Sequence, residues 1–482
     1  MRTMQTAVYT TPTETDIDAL GEIVPSERML LPEARKFKKY SHDQVADERY
    51  AHMPDVVVFP ETTEEVCAIL RHAHERRIAV TPRGAGTGLS GGAVPKEGGI
   101  CLSLERMNRV LEVDTENLVA TLEPGVVTRE LDTLLRPHGL FFAGYPMSEE
   151  ICTIGGNVAE NAGGGRAVKY GVTGNYVLGI EGVTADGRRF ELGGKRLKDV
   201  TGYNLLSMLV GSEGTLCVVT KIHLRLLPRP ASSECLLALF PDVASAISAI
   251  PAVIREGGIM PTSVEFMDGE CLRASCRMLK ETIPYESYGA MLLFEVDGQN
   301  SDVVHSALLQ VQRVLAGRAG DVLVGKSEED NERFWKVRKQ VAWALKAMGK
   351  DQTLEDISMP IASVPPMMER LEALAEQYDI LIPCFGHAAD GNLHANPMRP
   401  ESMSREHWRE ILPEVLRKMY RDARELGGTI SGEHGIGHKR RSYMNEVLDD
   451  VSLDMMQRVK VALDPDGILN PGKIFPESGG GA

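Results

Sequence analysis

No run of eighteen apolar residues occurs in this chain of 482 residues, so no segment reads as a membrane-spanning helix. The opening MRTMQTAVYTTPTETDIDAL lacks the basic stretch and following apolar core of a secretory signal. A cytoplasmic location is expected, with peripheral attachment to the inner membrane through a partner as its variant. The net charge is −15 and is spread along the chain, which excludes the basic footprint that binding a nucleic acid needs. The eight cysteines (Cys67, Cys101, Cys152, Cys217, Cys235, Cys271, Cys276 and Cys384) include no C-x-x-C and no zinc or iron–sulfur spacing. They are expected to be reduced, packed thiols. There is no internal repeat, and the only low-complexity stretch is the terminal SGGGA. What is present is a globular composition, 43% hydrophobic, at a length suited to two or three domains.

Residues 1–50 read as a helical lead-in. After them DVVVF reads as a strand, TTEEVCAILRHAHERR as a helix capped by Thr62 or Thr63, and IAVTPRG as a strand running into glycines. Further strands are expected in GICLSL, LVATLEPGVV and GIEGVTADGRRFEL, the last turning at Ala185-Asp186-Gly187. Pro228 and Pro230 follow a strand-like run and mark a boundary near 229. Beyond it the strands CLLALF, AMLLFEV, DVLVG and DILIPCFGH alternate with amphipathic helices, among them EEDNERFWKVRKQVAWALKAM. That alternation predicts a second, ferredoxin-like α/β domain of two layers over 230–459, and an overall α+β class.

The stretch TPRGAGTGLSGGA contains the string G-x-G-x-x-G. A dinucleotide loop of that type must open straight into a helix, whose N-terminus holds the pyrophosphate. Here GGAVPKEGGICLSL follows, and Pro95 with its glycines allows no helix. What survives is a backbone whose N–H groups can close around an anion. Two more small-residue segments follow, TIGGNVAENAGGGRAVKYGVTGNYV and GYNLLSMLVGSEGTLCVVTKIHLRLLP. Three such segments in one domain imply close backbone approach to something large and polar.

Together, from about 50 to 228, these segments resemble the PCMH-type FAD-binding domain of the vanillyl-alcohol oxidase superfamily. The resemblance implies FAD held non-covalently over 51–229. Gly84, Ala85, Gly86, Thr87, Gly88 and Ser90 would serve the first loop, and Thr153, Gly156, Asn157, Ala162 and Gly163 the second. Glu213, Gly214 and Val219 would serve the third, with Pro82, Arg83, Pro146 and Ser148 added from the flanks. Cys217 stands where the family usually has glycine.

In GHAADGNLHANP, Asp390-Gly391 reads as a two-residue hairpin turn. That turn pairs Ala389 with Asn392, Ala388 with Leu393 and His387 with His394, so both imidazoles project on one face and can share a metal. GTISGEHGIGHKR offers Glu433 as a third ligand, which leaves open coordination positions, and His434 as a base. Arg338, with Phe334, Val341 and Leu345, falls on one apolar helical face. A substrate carboxylate or an internal salt bridge would satisfy that charge.

These strings, with the terminal LDPDGILNPGKIF, resemble the FAD-linked D-2-hydroxyacid dehydrogenases, a group spanning D-lactate, glycolate and D-2-hydroxyglutarate enzymes. The resemblance implies a divalent metal (zinc, iron or manganese) on His387, His394 and Glu433. It implies His434 as base, Arg338 as the carboxylate anchor, Asn396 as a further catalytic residue, and a segment 460–482 returning to the FAD domain near Asn470. The expected reaction oxidises a small D-2-hydroxy acid, D-lactate foremost and glycolate next, to the 2-oxo acid. Electrons would pass to an electron-transfer flavoprotein, an iron–sulfur subunit or a quinone-linked carrier, and a homodimer is compatible with this reading. The rivals are a redox-neutral flavoenzyme of the same superfamily, a metal-dependent hydrolase and a non-catalytic electron-transfer subunit.

Overall fold

The computed structural model describes residues 8–349 and 351–477; the terminal SGGGA and the first seven positions of the lead-in lie outside them. Two compact units divide the chain. The first comprises Met1–Gly163, Val172–Pro228 and Glu433–Ala482, and the second Gly164–Gly171 and Arg229–Gly432. This corrects the expected extents in two places. Residues 433–459, expected in the second domain, belong to the first unit, where Glu213 and the Ser90 carbonyl accept their backbone N–H groups. Gly164–Gly171 joins the second unit through the ion pairs Arg166–Glu295 (3.2 Å) and Lys169–Asp297. Both differences arise from bonds between residues far apart in sequence, which a linear pattern does not display.

In the first unit Met29–Leu30 (β1), Val56–Val58 (β2), Val80–Arg83 (β3) and Ile100–Ser103 (β4) form a sheet of order β1-β2-β4-β3, with β2 and β3 both parallel to β4. The helix Thr63–Arg76 joins β2 to β3, and the Thr62 hydroxyl caps it by accepting the Glu65 N–H at 3.2 Å. Its Val66, Ile69, Leu70 and Ala73 recur at helical spacing and pack on Val56, Val58, Val80 and Ile100 in one core. This is the β-α-β opening that the sequence pattern announces. An antiparallel sheet is built from Val110–Asp114 (β5), Val119–Leu122 (β6), Val177–Val183 (β8), Arg189–Gly193 (β9) and Val218–Arg225 (β10), in the order β5-β6-β10-β8-β9. Leu140–Phe141 (β7) pairs with Leu227–Pro228 (β11).

The second unit carries seven antiparallel strands: Ser232–Phe240 (β12), Ser263–Asp268 (β13), Ala290–Gly298 (β14), Asp321–Val324 (β15), Glu355–Ser358 (β16), Cys384–His387 (β17) and Asn392–Ala395 (β18). Their order is β15-β12-β14-β13-β17-β18-β16. Helices Val243–Arg255 and Ser301–Leu315 follow β12 and β14, so the first four strands have ferredoxin-like connectivity. A further helix, Gly269–Leu279, lies between β13 and β14, and three strands extend the sheet. The strand expected in DILIPCFGH begins only at Cys384, because Pro383 has no N–H to give a ladder. The long helix expected after Glu328 is two, Glu328–Lys339 and Val341–Met348. Its apolar face is buried as expected at Phe334, Arg338, Val341 and Leu345.

Candidate active site

A cleft of about 280 Å³ opens in the first unit, and the three small-residue segments all line it. Residues 82–88 supply Pro82, Arg83, Gly84, Ala85, Gly86, Thr87 and Gly88 from the end of β3. Pro146, Ser148, Thr153, Gly156, Asn157, Ala162 and Gly163 come from the second segment, and Glu213, Gly214 and Val219 from the third. Glycine is demanded here by closeness. A Cβ on Gly84 would stand 2.4 Å from Thr153 Oγ1, and Gly86 sits at φ +70°. Thr153 Oγ1 is buried and has no hydrogen-bond partner among the described residues. A cradle that a Cβ would fill, with an orphaned hydroxyl on its wall, fits a large polar cofactor such as FAD.

Three expected ligands do other work. Ser90 is fully buried, and its hydroxyl and carbonyl accept the Gly92 and Lys439 N–H groups. Asn470 is buried as well, and its Nδ2 donates to the Gly92 and Glu213 carbonyls at 2.8 and 2.7 Å. Neither lines the cleft; both fix the loops that do. Arg83 lines it, yet its guanidinium points back to donate to the Ala93 and Lys39 carbonyls.

Glu433 and His434 also line this cleft. His434 Nε2 is 3.5 Å from Glu433 Oε1, so the imidazole turns toward its neighbour rather than away from it. The loop carrying them is tight. Gly435 and Gly437 have φ of +84° and +52°, and Cβ atoms there would meet Glu160 Oε2 at 2.1 Å and the Ser90 carbonyl oxygen at 2.2 Å. Glu213 accepts the Ile436 and Gly437 N–H groups at 2.8 and 2.6 Å. Beside it stands Glu160, whose carboxyl is pushed well above the usual range by burial first and then by the charges of Glu213 and Asp43. Sequence reading missed Glu160; the only signal was one acid in the otherwise small and neutral run GGNVAENAGGG.

In the second unit His387 and His394 lie on one face of the β17–β18 hairpin, ring centroids 5.4 Å apart. The expected direct pairing does not occur. His387 faces Asn392, and His394 faces Phe385. The turn is a 3₁₀ turn, Ala388–Asp390, closed by Gly391 at φ +76°, rather than a two-residue Asp-Gly turn. A Cβ on Gly391 would stand 1.8 Å from the Met359 carbonyl oxygen. Because the register differs by two residues, and side chains alternate with period two, both imidazoles keep the same face.

Each imidazole has a buried carboxylate behind it. Glu265 Oε1 on β13 is 2.8 Å from His387 Nδ1, and Asp356 Oδ1 on β16 is 3.6 Å from His394 Nδ1. Asp356 is held in turn by the Asn392 amide at 2.8 Å and the Ser431 hydroxyl at 2.7 Å. The Glu265 carboxylate on Nδ1 leaves His387 Nε2 as the ligating atom, the arrangement common behind metal-ligating histidines, while Asp356 stands beyond hydrogen-bond distance of His394. The donor chemistry therefore fits a divalent cation. Glu433 is bonded covalently to Gly432, whose N–H donates to the Asp356 carbonyl at 2.9 Å.

Arg338 has an internal partner. It is buried and pairs with Glu265 Oε2 at 2.7 Å, with its guanidinium 5.0 Å from the Phe385 ring centroid. The internal salt bridge, one of the two readings open from the sequence, is what forms. Its Nε has no hydrogen-bond partner among the described residues. Asn396 is buried, and its Nδ2 donates to Gln352 Oε1 at 2.5 Å. Glu265 and Asp356 were legible only as acids within short strand-like runs, TSVEFMD with Asp268 and LEDISM with Glu355.

The chain matches two family models, "FAD binding domain" over residues 54–193 and "FAD linked oxidases, C-terminal domain" over residues 229–474. It is 39% identical to the glycolate oxidase subunit GlcD of Bacillus subtilis over 437 residues, covering 90% of this chain and 92% of that protein. It is likewise 39% identical to a D-lactate dehydrogenase of Archaeoglobus fulgidus over 421 residues, covering 87% and 91%. In fold it is similar to p-cresol methylhydroxylase with substrate bound, at a TM-score of 0.78 and 16% identity over 98% of this chain and 99% of that one. No helix among the described residues is long and apolar enough to cross a membrane.

Proposed function

The chain belongs to the FAD-linked oxidases, and from that premise we propose that it oxidises a D-2-hydroxy monocarboxylate, D-lactate foremost and glycolate next, to the 2-oxo acid. It is an FAD-linked oxidoreductase of the hydroxy-acid dehydrogenase type; the particular substrate is the proposal. The observation that carries it is the presence of His434 on the wall of the glycine-lined cleft of the first unit.

The glycine-rich loops lining that cleft would hold FAD, which would supply the two-electron acceptor. His387, His394 and Glu433 would hold a divalent cation, which would supply Lewis acidity toward the substrate's 2-hydroxyl. His434 takes the hydroxyl proton, a task suited to an imidazole near neutral pH. Arg338 directs its remaining N–H groups to the substrate carboxylate, and a single cation of this kind suits a monocarboxylate better than a dicarboxylate. Asn396 adds an amide donor. The sequence contains no cluster or haem motif, so the electrons pass on to a partner protein or a quinone-linked carrier.

The test is anaerobic bleaching of the bound flavin by a panel of D- and L-2-hydroxy acids, before and after chelation. D-lactate should bleach it fastest, L-lactate should not, and chelation should slow the reaction. Absence of bleaching by every hydroxy acid with metal-replete, FAD-loaded protein overturns the reading.

A further inference from the structure

The carboxylate of Glu265 is wholly buried in the middle of the second unit's sheet, on a strand whose six residues are all buried. A charge there is costly unless it is paired on both oxygens. Both are engaged, and by different parts of the site. Oε1 meets His387 Nδ1 at 2.8 Å across the β13–β17 ladder, where the two residues are register partners. Oε2 meets the Arg338 guanidinium at 2.7 Å. Gly165 closes over the pair, since a Cβ there would stand 2.1 Å from Glu265 Oε1 and 3.4 Å from His387 Nδ1. The segment bearing Gly165 is itself tied down by Arg166 to Glu295 and by the Tyr170 hydroxyl to Asp297 at 3.0 Å.

We infer that Glu265 is a positioning residue which sets two functional groups at once, fixing the tautomer of His387 for metal ligation and the orientation of Arg338 for the substrate carboxylate. The inference rests on the metal and carboxylate roles proposed above. An acceptor on Nδ1 keeps the proton at that nitrogen, so the lone pair is on Nε2, the atom a metal requires. The second oxygen forms an ion pair with guanidinium Nη2 at 2.7 Å and balances its charge, which leaves Nε for another acceptor. Only a carboxylate can accept on both sides. Glutamine at this place has one acceptor and one donor, and whichever way it turns, one of the two groups loses its partner. If its amide N–H faces Nδ1, the imidazole proton moves to Nε2 and blocks the metal position.

The experiment compares wild type, Glu265→Gln, Glu265→Asp and Ser263→Ala, all FAD-loaded and stripped of metal by chelation. Each is titrated with Zn²⁺ and Mn²⁺ against a fluorescent chelator, and flavin stoichiometry is measured in parallel. Ser263 lies on the same strand, and its hydroxyl is 3.5 Å from Glu295, so its variant controls for general damage to the strand. Glu265→Gln should weaken metal binding at least tenfold and raise KM for the hydroxy acid. Glu265→Asp should recover part of the metal affinity, while Ser263→Ala and the flavin content stay as in wild type. Equal metal affinity in Glu265→Gln and wild type overturns the inference, as does an equal loss in Ser263→Ala. If Glu265→Gln does not hold flavin, Glu265→Asp decides, and wild-type affinity there overturns it. A wild type that binds neither ion defeats the metal reading itself, a result visible without any variant.

Discussion

Glu213 accepts the Gly437 N–H at 2.6 Å and the Ile436 N–H at 2.8 Å, so one buried carboxylate anchors the loop that carries His434. Its own backbone carbonyl is held by Asn470 at 2.7 Å. The third small-residue segment therefore fixes the position of the proposed base. Two backbone donors, the Gly437 one buried and the Ile436 one partly so, lose their acceptor in Glu213→Ala, at about 1–3 kcal/mol for the buried one and less for the other. The variant should melt at a lower temperature and reduce its flavin slowly with substrate. Glu213→Gln, which keeps one acceptor, should lie between. Urea unfolding and anaerobic flavin reduction check both effects, and a wild-type reduction rate in a destabilised Glu213→Ala would show that the loop is held by other means.

His434 itself gives a sharper separation. Replacing it by Ala removes the base while leaving the glycine loops that line the cleft intact. Flavin content should remain at wild-type level while the rate of flavin reduction falls by about 10²–10⁴. Stopped-flow reduction under anaerobic conditions measures this, with D-lactate as substrate. A variant that loses its flavin would instead point to His434 as a cofactor-binding residue.

The cofactor loops were legible because glycine density is a local property; a chain that must approach a ligand by its backbone says so in TPRGAGTGLSGGA. The face shared by His387 and His394 was legible for the same reason, since period-two alternation survives a change of register by two residues. The turn geometry was not, because the Met359 carbonyl that excludes a Cβ at Gly391 comes from a different strand end. Nor was the partner of Arg338. A helix pattern shows that a charge is buried, but the strand carrying Glu265 lies 73 positions earlier in sequence, and only the fold brings the two together.

Gly84 tests the cleft directly. Its Cβ position lies 2.4 Å from Thr153 Oγ1, so Gly84→Ala pushes that hydroxyl out of place or widens the loop. Overpacking of this kind costs about 1–3 kcal/mol, and FAD affinity should fall roughly tenfold, equivalent to about 1.4 kcal/mol. Fluorescence titration of the apoprotein with FAD measures it. Gly139, at φ +65° with nothing near its Cβ position, provides the comparison: Gly139→Asn should leave FAD affinity unchanged.

His438 makes the cofactor-loop region sensitive to acid. Burial first, then the positive charges of Arg441, Lys473 and Lys96 and the ring of His52, push its imidazole down from 6.5 to about 3. The ring packs edge-on against Tyr50 and His52, with centroids 5.4 and 5.5 Å away, and its Cβ lies 3.2 Å from where a Cβ on Gly91 would stand. Between pH 6.5 and about 3 the unfolded chain binds this proton and the folded protein does not. Unfolding therefore takes up a proton, and stability falls as pH falls across that window. The contribution is fully present above pH 6.5 and is lost as pH drops through the folded value. His438→Gln removes the group, so its unfolding free energy should depend less on pH over this range, by up to one proton. Urea unfolding at pH 7, 6 and 5 checks the slope. Equal slopes in variant and wild type would place the acid sensitivity elsewhere.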